Sequence, residues 1–207
     1  MFDFKITKKL KLILIGMMLG DANLQTFSDG KKARLRVLHS TKQKEYLEHK
    51  YLLFEKLCRT KICFLKETRE NNIYEKCYFQ TLTSLKLSFF FHMFYKDGKK
   101  IVPKLIHRYL EPITLAYWYM DDGSMKWKNR SKAVRLCTDS FTNEEVIRLK
   151  DLLNEKYDLK ASVFKQRSRY RIYIPNSNYE FTHLIEEYVI DSMVYKLPRK
   201  TLTEIKT

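Results

Sequence analysis

Three carboxylates stand where an apolar run of the chain stops. Asp21 follows the run from Leu12 to Gly20, and Asp121 and Asp122 follow Leu115-Ala116-Tyr117-Trp118-Tyr119-Met120. Read as helices, both runs are apolar on nearly every side and belong in a core, with the acids on the last turn. Acids at that end face the negative pole of the helix dipole, an arrangement that costs a few tenths to about 1 kcal/mol unless a cation lies nearby. A metal ion, a Lys or an Arg is therefore expected beside them. Carboxylates suit Mg²⁺, with Mn²⁺ as a substitute, and no cluster of His or Cys offers a softer site. Gly123 fits a helix stop because glycine tolerates positive φ. Each half also closes on a lysine just before a proline, Lys100-Ile101-Val102-Pro103 and Lys196-Leu197-Pro198. That placement suggests one lysine per site, polarising water or neutralising developing charge.

The elements that must position these groups repeat. After the first acid, Gln25 to Phe27 and Ala33 to His39 read as strands around a Ser28-Asp29-Gly30-Lys31 turn. A helix follows from Lys42 to about Cys58, strands over Lys61 to Lys66 and Tyr74 to Thr83, and a Phe-rich helix over Ser84 to Tyr95. Asp97-Gly98 breaks the chain before Pro112 leads into the second acidic helix. The second half reads as strand (Lys132 to Asp139), helix (Asn143 to Lys156), hairpin (Ala161 to Gln166 with Tyr170 to Ile174) and final helix (Tyr179 to Val189). A shift of one hundred pairs Ser40 with Ser140, Glu45 with Glu145, Lys50 with Lys150, Leu52-Leu53 with Leu152-Leu153 and Glu55-Lys56 with Glu155-Lys156, the mark of an internal repeat. The expectation is an α+β fold of two αββαββα halves, residues 1–97 and 98–207, related by a pseudo-two-fold axis within one monomeric chain. Gly16, Gly20 and Ala116 lack bulk and would let the two acidic helices approach closely.

The chain has 40 Lys+Arg against 24 Asp+Glu, a net charge of +16, and a surplus of that size calls for a polyanion, nucleic acid first. Arg34 and Arg36 alternate with Leu35 and Val37, and Arg167, Arg169 and Arg171 alternate along one strand face while Tyr170 and Ile172 point the other way. Such ribbons suit the major groove of duplex DNA. Lys31, Lys32, Lys126, Lys128, Arg130, Lys132 and Arg135 suit phosphate contacts.

Cys58, Cys63, Cys77 and Cys137 form no CxxC pair, which argues against zinc and for reduced thiols in an intracellular protein. The five histidines form no ligand motif and read as surface or packing residues. Lys5, Lys8, Lys9 and Lys11 before the apolar run imitate a secretory signal, but Asp21, the lack of a small-x-small site and the later copy of the pattern argue otherwise. No run reaches the ~20 apolar residues of a membrane span. Abundant Lys, Ile, Phe, Tyr and Asn suggest AT-rich coding DNA, as in an organellar genome; a bacterial or phage source is the alternative.

Gly20-Asp21-Ala22 and Asp121-Asp122-Gly123 resemble the end of the signature of LAGLIDADG homing endonucleases, and LAYWYMDDG is similar to the single-chain, two-motif type. Ala22 stands for the last glycine, Leu19 and Met120 for the first acid, and Tyr117 for the inner glycine. The resemblance implies two sheets forming a DNA-binding saddle and a Mg²⁺-dependent enzyme that cuts both strands of a long asymmetric site across the minor groove, leaving 3′ overhangs. It assigns metal binding to Asp21 and Asp122, the acids before the final small residue, with Gly20 contributing its backbone. Asp121 then acts through its backbone or at one remove, and Lys100 and Lys196 lie near the active centre. A splicing maturase that binds structured RNA on the same fold, and a DNA-binding regulator that has lost cleavage, are the alternatives.

Overall fold

The computed structural model describes residues 6–27, 30–70, 72–127 and 131–198. The chain divides into two compact units, Met1–Lys99 and Lys100–Thr207.

In the first unit, α1 (Lys8–Leu19) begins where the Thr7 hydroxyl accepts the amide of Leu10 (3.2 Å). Leu10 and every residue from Ile13 to Leu19 are buried, as an all-apolar sequence requires. β1 (Asn23–Phe27) and β2 (Lys32–Ser40) follow, then α2 (Lys44–Phe54), flanked by single 3-10 turns. β3 (Cys63–Arg69), β4 (Asn72–Gln80) and α3 (Leu85–Phe94) complete the set. The antiparallel sheet runs β1-β2-β4-β3. α2 packs on β2 and β4, and α3 on β1 and β2. Ala33, Leu35, Val37 and His39 are the buried residues of β2, while Arg34 and Arg36 take the opposite face. The β3–β4 hairpin leaves Phe64 exposed near its base and Ile73 and Tyr74 exposed towards its tip. Two short strands, β5 (Tyr95–Lys96) and β6 (Lys99–Lys100), flank Asp97 and Gly98. Both turn residues have positive φ (49° and 72°), which suits a two-residue hairpin turn.

The second unit repeats the order with α4 (Pro112–Asp122), β7 (Gly123–Met125), β8 (Val134–Leu136), α5 (Asn143–Tyr157), β9 (Ser162–Gln166), β10 (Arg169–Ile174) and α6 (Glu180–Ile185). Its sheet order, β7-β8-β10-β9, copies the first. α5 packs on β9 and β10, and α4 against α6, β7 and β8. A capping box starts α5: Thr142 Oγ1 accepts from the Glu145 amide (3.3 Å) and Glu145 Oε2 from the Thr142 amide (2.9 Å). Buried Asn176 fixes the start of α6, accepting from the amides of Phe181 and Thr182 and donating to Lys132 O and Thr182 Oγ1.

The fold is therefore α+β, with αββαββα in each unit, as the hydrophobic periods predict. β7 is the strand they miss, because three residues carry no alternation, and β8 is shorter than the Lys132 to Asp139 run suggests. Ser28 and Asp29 of the predicted first turn lie outside the described residues. Gly123 corrects a second expectation. Its φ is −84°, so no left-handed conformation is needed. A Cβ there would meet the Tyr119 ring at 2.0 Å and the Tyr119 carbonyl at 2.4 Å, so glycine is required by close approach. Gly123→Ala should destabilise the protein by about 1–3 kcal/mol, the usual cost of overpacking a tight site. Urea titration would measure it, and an unchanged midpoint would show that the ring moves aside freely.

Candidate active site

Each acid lies at the passage from a buried helix into the first strand of a sheet. α1 closes with the Gly20 amide donating to Gly16 O and Met17 O (both 3.2 Å), and the chain enters β1 through Asp21 and buried Ala22. α4 runs to Asp122 itself, and Gly123 opens β7. Leu24 pairs with Leu35, and Met125 with Val134. Superposing those pairs matches Asp21 with Asp122, Ala22 with Gly123 and Gly20 with Asp121. Gly20 and Asp121 are both buried, Asp122 is half-buried, and the Asp21 side chain is 43% exposed.

The hundred-residue shift does not describe the packing of the following helices. Leu47, Lys50 and Phe54 are buried in α2, and Val146, Leu149 and Leu153 in α5, ninety-nine positions apart. Lys150, the same-letter partner of Lys50, is half-buried and pairs with Asp151. The counterparts of Asp21 and Leu35 lie 101 and 99 positions on, because the Met125–Val134 hairpin is two residues shorter than its Leu24–Leu35 equivalent. The repeat is real, but identities at a shift of one hundred do not mark equivalent positions.

The expected cation beside the second acid pair comes from far along the chain. Lys196 Nζ donates to the carbonyl oxygens of Met120 (2.6 Å) and Asp121 (3.1 Å), the open end of α4. The Tyr119 hydroxyl donates to Lys196 O (2.6 Å) and holds that backbone in place. An ammonium at a helix C-terminus offsets the negative pole that the carboxylates face. Lys100 ends β6 and is half-buried.

The flanks of the two acids differ. In the first unit His39 reaches Asp21, with Nδ1 3.8 Å from Asp21 Oδ2. On the other side of the imidazole, Nε2 lies 3.0 Å from Lys50 Nζ, which sits over the Tyr46 ring at 4.0 Å. Lys50 is wholly buried and His39 is 5% exposed. His39 is thus buried, as a packing residue would be, and its place beside Asp21 is what the absence of a ligand motif did not reveal. The only signal was its inward position in an alternating strand ending beside a helix that also points a lysine inward. In the second unit the Cys137 amide donates to Asp122 O (3.0 Å). Arg171 forms a fork on Asp139 (Nε to Oδ1 2.8 Å, Nη2 to Oδ2 2.5 Å) and donates from Nη1 to Gln166 Oε1 (2.9 Å). That fork holds the Asp139 carboxyl below its ordinary range. Burial raises the Cys137 thiol pKa, and the nearby Asp122 charge adds to the shift, so a neutral thiol lies beside this acid.

The basic residues singled out by alternation sit mostly on sheet faces, and aromatic rings lie under several. Arg34 is over Phe27 (4.9 Å) and donates to Gln25 Oε1 (2.8 Å), and Arg36 is over Tyr78 (4.7 Å). Lys126 is over Trp127 and Tyr173, Lys132 over Tyr179, and Arg135 over Phe164. Lys31, Lys32 and Arg169 are exposed. Arg167 is not on the strand face expected of it: with φ 56° it is the first residue of the turn between β9 and β10. Lys128 and Arg130 lie outside the described residues.

The comparisons with known proteins agree with this geometry. Residues 11–181 match the model of the LAGLIDADG DNA endonuclease family. The DNA endonuclease I-ChuI of Chlamydomonas applanata is 36% identical over 93% of this chain and 95% of its own length. The cytochrome b mRNA maturase bI2 of Debaryomyces hansenii is 30% identical over 95% of this chain and 76% of its own. The solved structure of the homing endonuclease I-WcaI bound to its DNA recognition sequence superposes with a TM-score of 0.89 at 28% identity, covering 96% of this chain and 89% of that one. Two sheets of one topology, each entered through a carboxylate at the end of a buried helix, thus occur in a chain that belongs to the LAGLIDADG DNA endonuclease family.

Proposed function

We propose that the protein is a site-specific DNA endonuclease that hydrolyses one phosphodiester in each strand of a duplex target, one unit serving each strand. The observation that carries this reading is the recurrence of an acid in the same structural place, Asp21 in one unit and Asp122 in the other. Each opens the first strand of a sheet whose outward face is basic.

The donor chemistry fits a hard divalent cation. Asp21 is largely accessible, Asp122 is half-buried, both are oxygen ligands, and the thiol beside Asp122 is held neutral. Asp21 and Asp122 would hold Mg²⁺, or Mn²⁺ in its place, with backbone oxygen from Gly20; Asp121, whose carbonyl accepts from Lys196 Nζ, would act through its backbone or at one remove. When bound, such an ion activates water, screens the phosphate and stabilises the leaving alkoxide. The chain's own part is orientation. Lys196 fixes the carbonyl end of α4 from which Asp122 projects, and Gly123 lets the backbone turn beneath Tyr119. The cations resting on aromatic rings keep their positive charge on the sheet face at reduced entropic cost, which favours phosphate and base-edge contacts. The protein acts as a monomer, since one chain carries both acids. An organellar origin accords with the AT-rich composition.

The Debaryomyces hansenii relative is named as a maturase, and RNA binding without cleavage is the second reading. The retained acids favour cleavage, because an RNA binder needs neither. Asp21→Asn and Asp122→Asn should each lower Mg²⁺-dependent cutting of a target-bearing plasmid by more than about 100-fold, above the usual loss for an outer-shell partner. Cutting that survives both changes would refute the assignment. Arg36→Ala should weaken duplex binding and flatten its salt dependence by about one in log–log slope if a phosphate contact is lost. Lys196→Met should slow cleavage more than it weakens binding, whereas equal losses would reduce Lys196 to a phosphate contact.

A further inference from the structure

The buried ionic row behind Asp21 has no copy behind Asp122. In the first unit it runs from Asp21 Oδ2 to His39 Nδ1 (3.8 Å) and from His39 Nε2 to Lys50 Nζ (3.0 Å), with the ammonium over the Tyr46 ring. The counterparts in the second unit are Thr138 for His39 and Leu149 for Lys50. Thr138 turns its hydroxyl to Tyr170 O (2.6 Å), and Leu149 is an ordinary core residue. A lysine without any exposed surface is costly to bury, and it persists only where its charge has definite partners. It stands at a position where the equivalent helix carries leucine, so packing alone does not call for it.

We infer that His39, clamped by Lys50, is a positioning residue for Asp21, and that it serves the first unit alone. A charged Lys50 has only donors, so Nε2 of His39 must accept and the imidazole proton resides on Nδ1. Nδ1 faces the carboxylate of Asp21. The separation of 3.8 Å exceeds a hydrogen bond, and a small rotation of the exposed carboxylate closes it, as is common for catalytic contacts in unliganded sites. His39 thereby selects the orientation in which Asp21 presents its other oxygen outward. The ring is held from behind by the ammonium and by Tyr46, whose ring centroid lies 5.3 Å away. This rests on the reading of Asp21 as the acid that serves one strand.

Two measurements test it. The first needs neither metal nor DNA: nitrogen-15 NMR of imidazole-labelled protein, with the His39 signals identified by their loss in His39→Gln. The inference requires the Nδ1–H tautomer in the wild type and its depletion in Lys50→Met, a shape-conserving change. A wild-type Nε2–H tautomer overturns it. The second follows each strand of an end-labelled duplex separately. Asp21→Asn first identifies the strand that the first unit cuts. His39→Leu and Lys50→Met should then slow that strand by on the order of 10–100-fold, the range for partners that orient a ligand, and leave the other strand at the wild-type rate. His39→Gln should recover part of the loss, because its amide can still donate towards Asp21. Equal slowing of both strands, or none, overturns the inference while leaving the role of Asp21 intact. If Asp21→Asn itself spares both strands, the parent reading fails first and the inference falls with it.

Discussion

A carboxylate at the C-terminal end of a buried helix is the constraint from which the other features of each site follow. The helix dipole opposes it, and the buried carbonyls at the helix end need donors whether or not an acid is there. In the second unit one side chain meets both demands, because the Lys196 ammonium bonds two of those carbonyls and brings positive charge to the same end. Much of the last stretch of the chain is then explained by its delivery of that lysine. The run of 3-10 turns from Asp191 to Lys196 carries it, and the Tyr119 hydroxyl ties its backbone to α4. Gly123 belongs to the same device, since a side chain there would displace the ring that makes the tie.

The first unit solves the problem by different means. Its acid is more accessible, and a lysine approaches it through an imidazole from inside the protein layer rather than from far along the chain. The sheet face that packs on α2 therefore carries a polar residue, His39, in line with Ala33, Leu35 and Val37. A buried polar row of this kind is favourable only when its members are partnered. The Tyr46 ring, which touches both His39 and Lys50, is the element that makes the burial tolerable.

The order of elements was legible because it depends on hydrophobic period, which each unit repeats over whole helices and strands. The acids were legible because they interrupt apolar runs, and the resemblance to a family signature named them. Other features depend on contacts between distant residues and left no local trace. A lysine at position 50 reads as solvated unless the register of α2 is known to within one residue, and coincident letters at a shift of one hundred pointed one residue away. Arg167 kept the alternation of a strand but lies in a two-residue turn, since the period of two persists through the hairpin while the backbone does not. Gly123 drew the right inference of a helix stop for the wrong reason, because a crowded ring and a left-handed φ select the same residue.

Duplication within one chain explains why the two sites need not stay alike. In a homodimer a change beside one acid is imposed on both, so a buried lysine would have to fit twice. Here Lys50 corresponds to Leu149 and His39 to Thr138, so one layer carries an ionic row while its copy carries a leucine and a neutral, hydrogen-bonded threonine at the same place. The sheet faces have diverged in the same way. Arg34 and Arg36 rest on Phe27 and Tyr78, whereas Arg171 is drawn into a fork with Asp139 and leaves Arg135 and Lys126 to lie on rings. Two surfaces that hold their cations differently present different patterns of positive charge. A chain whose two units differ both beside the acid and on the basic sheet face is suited to a target whose halves also differ.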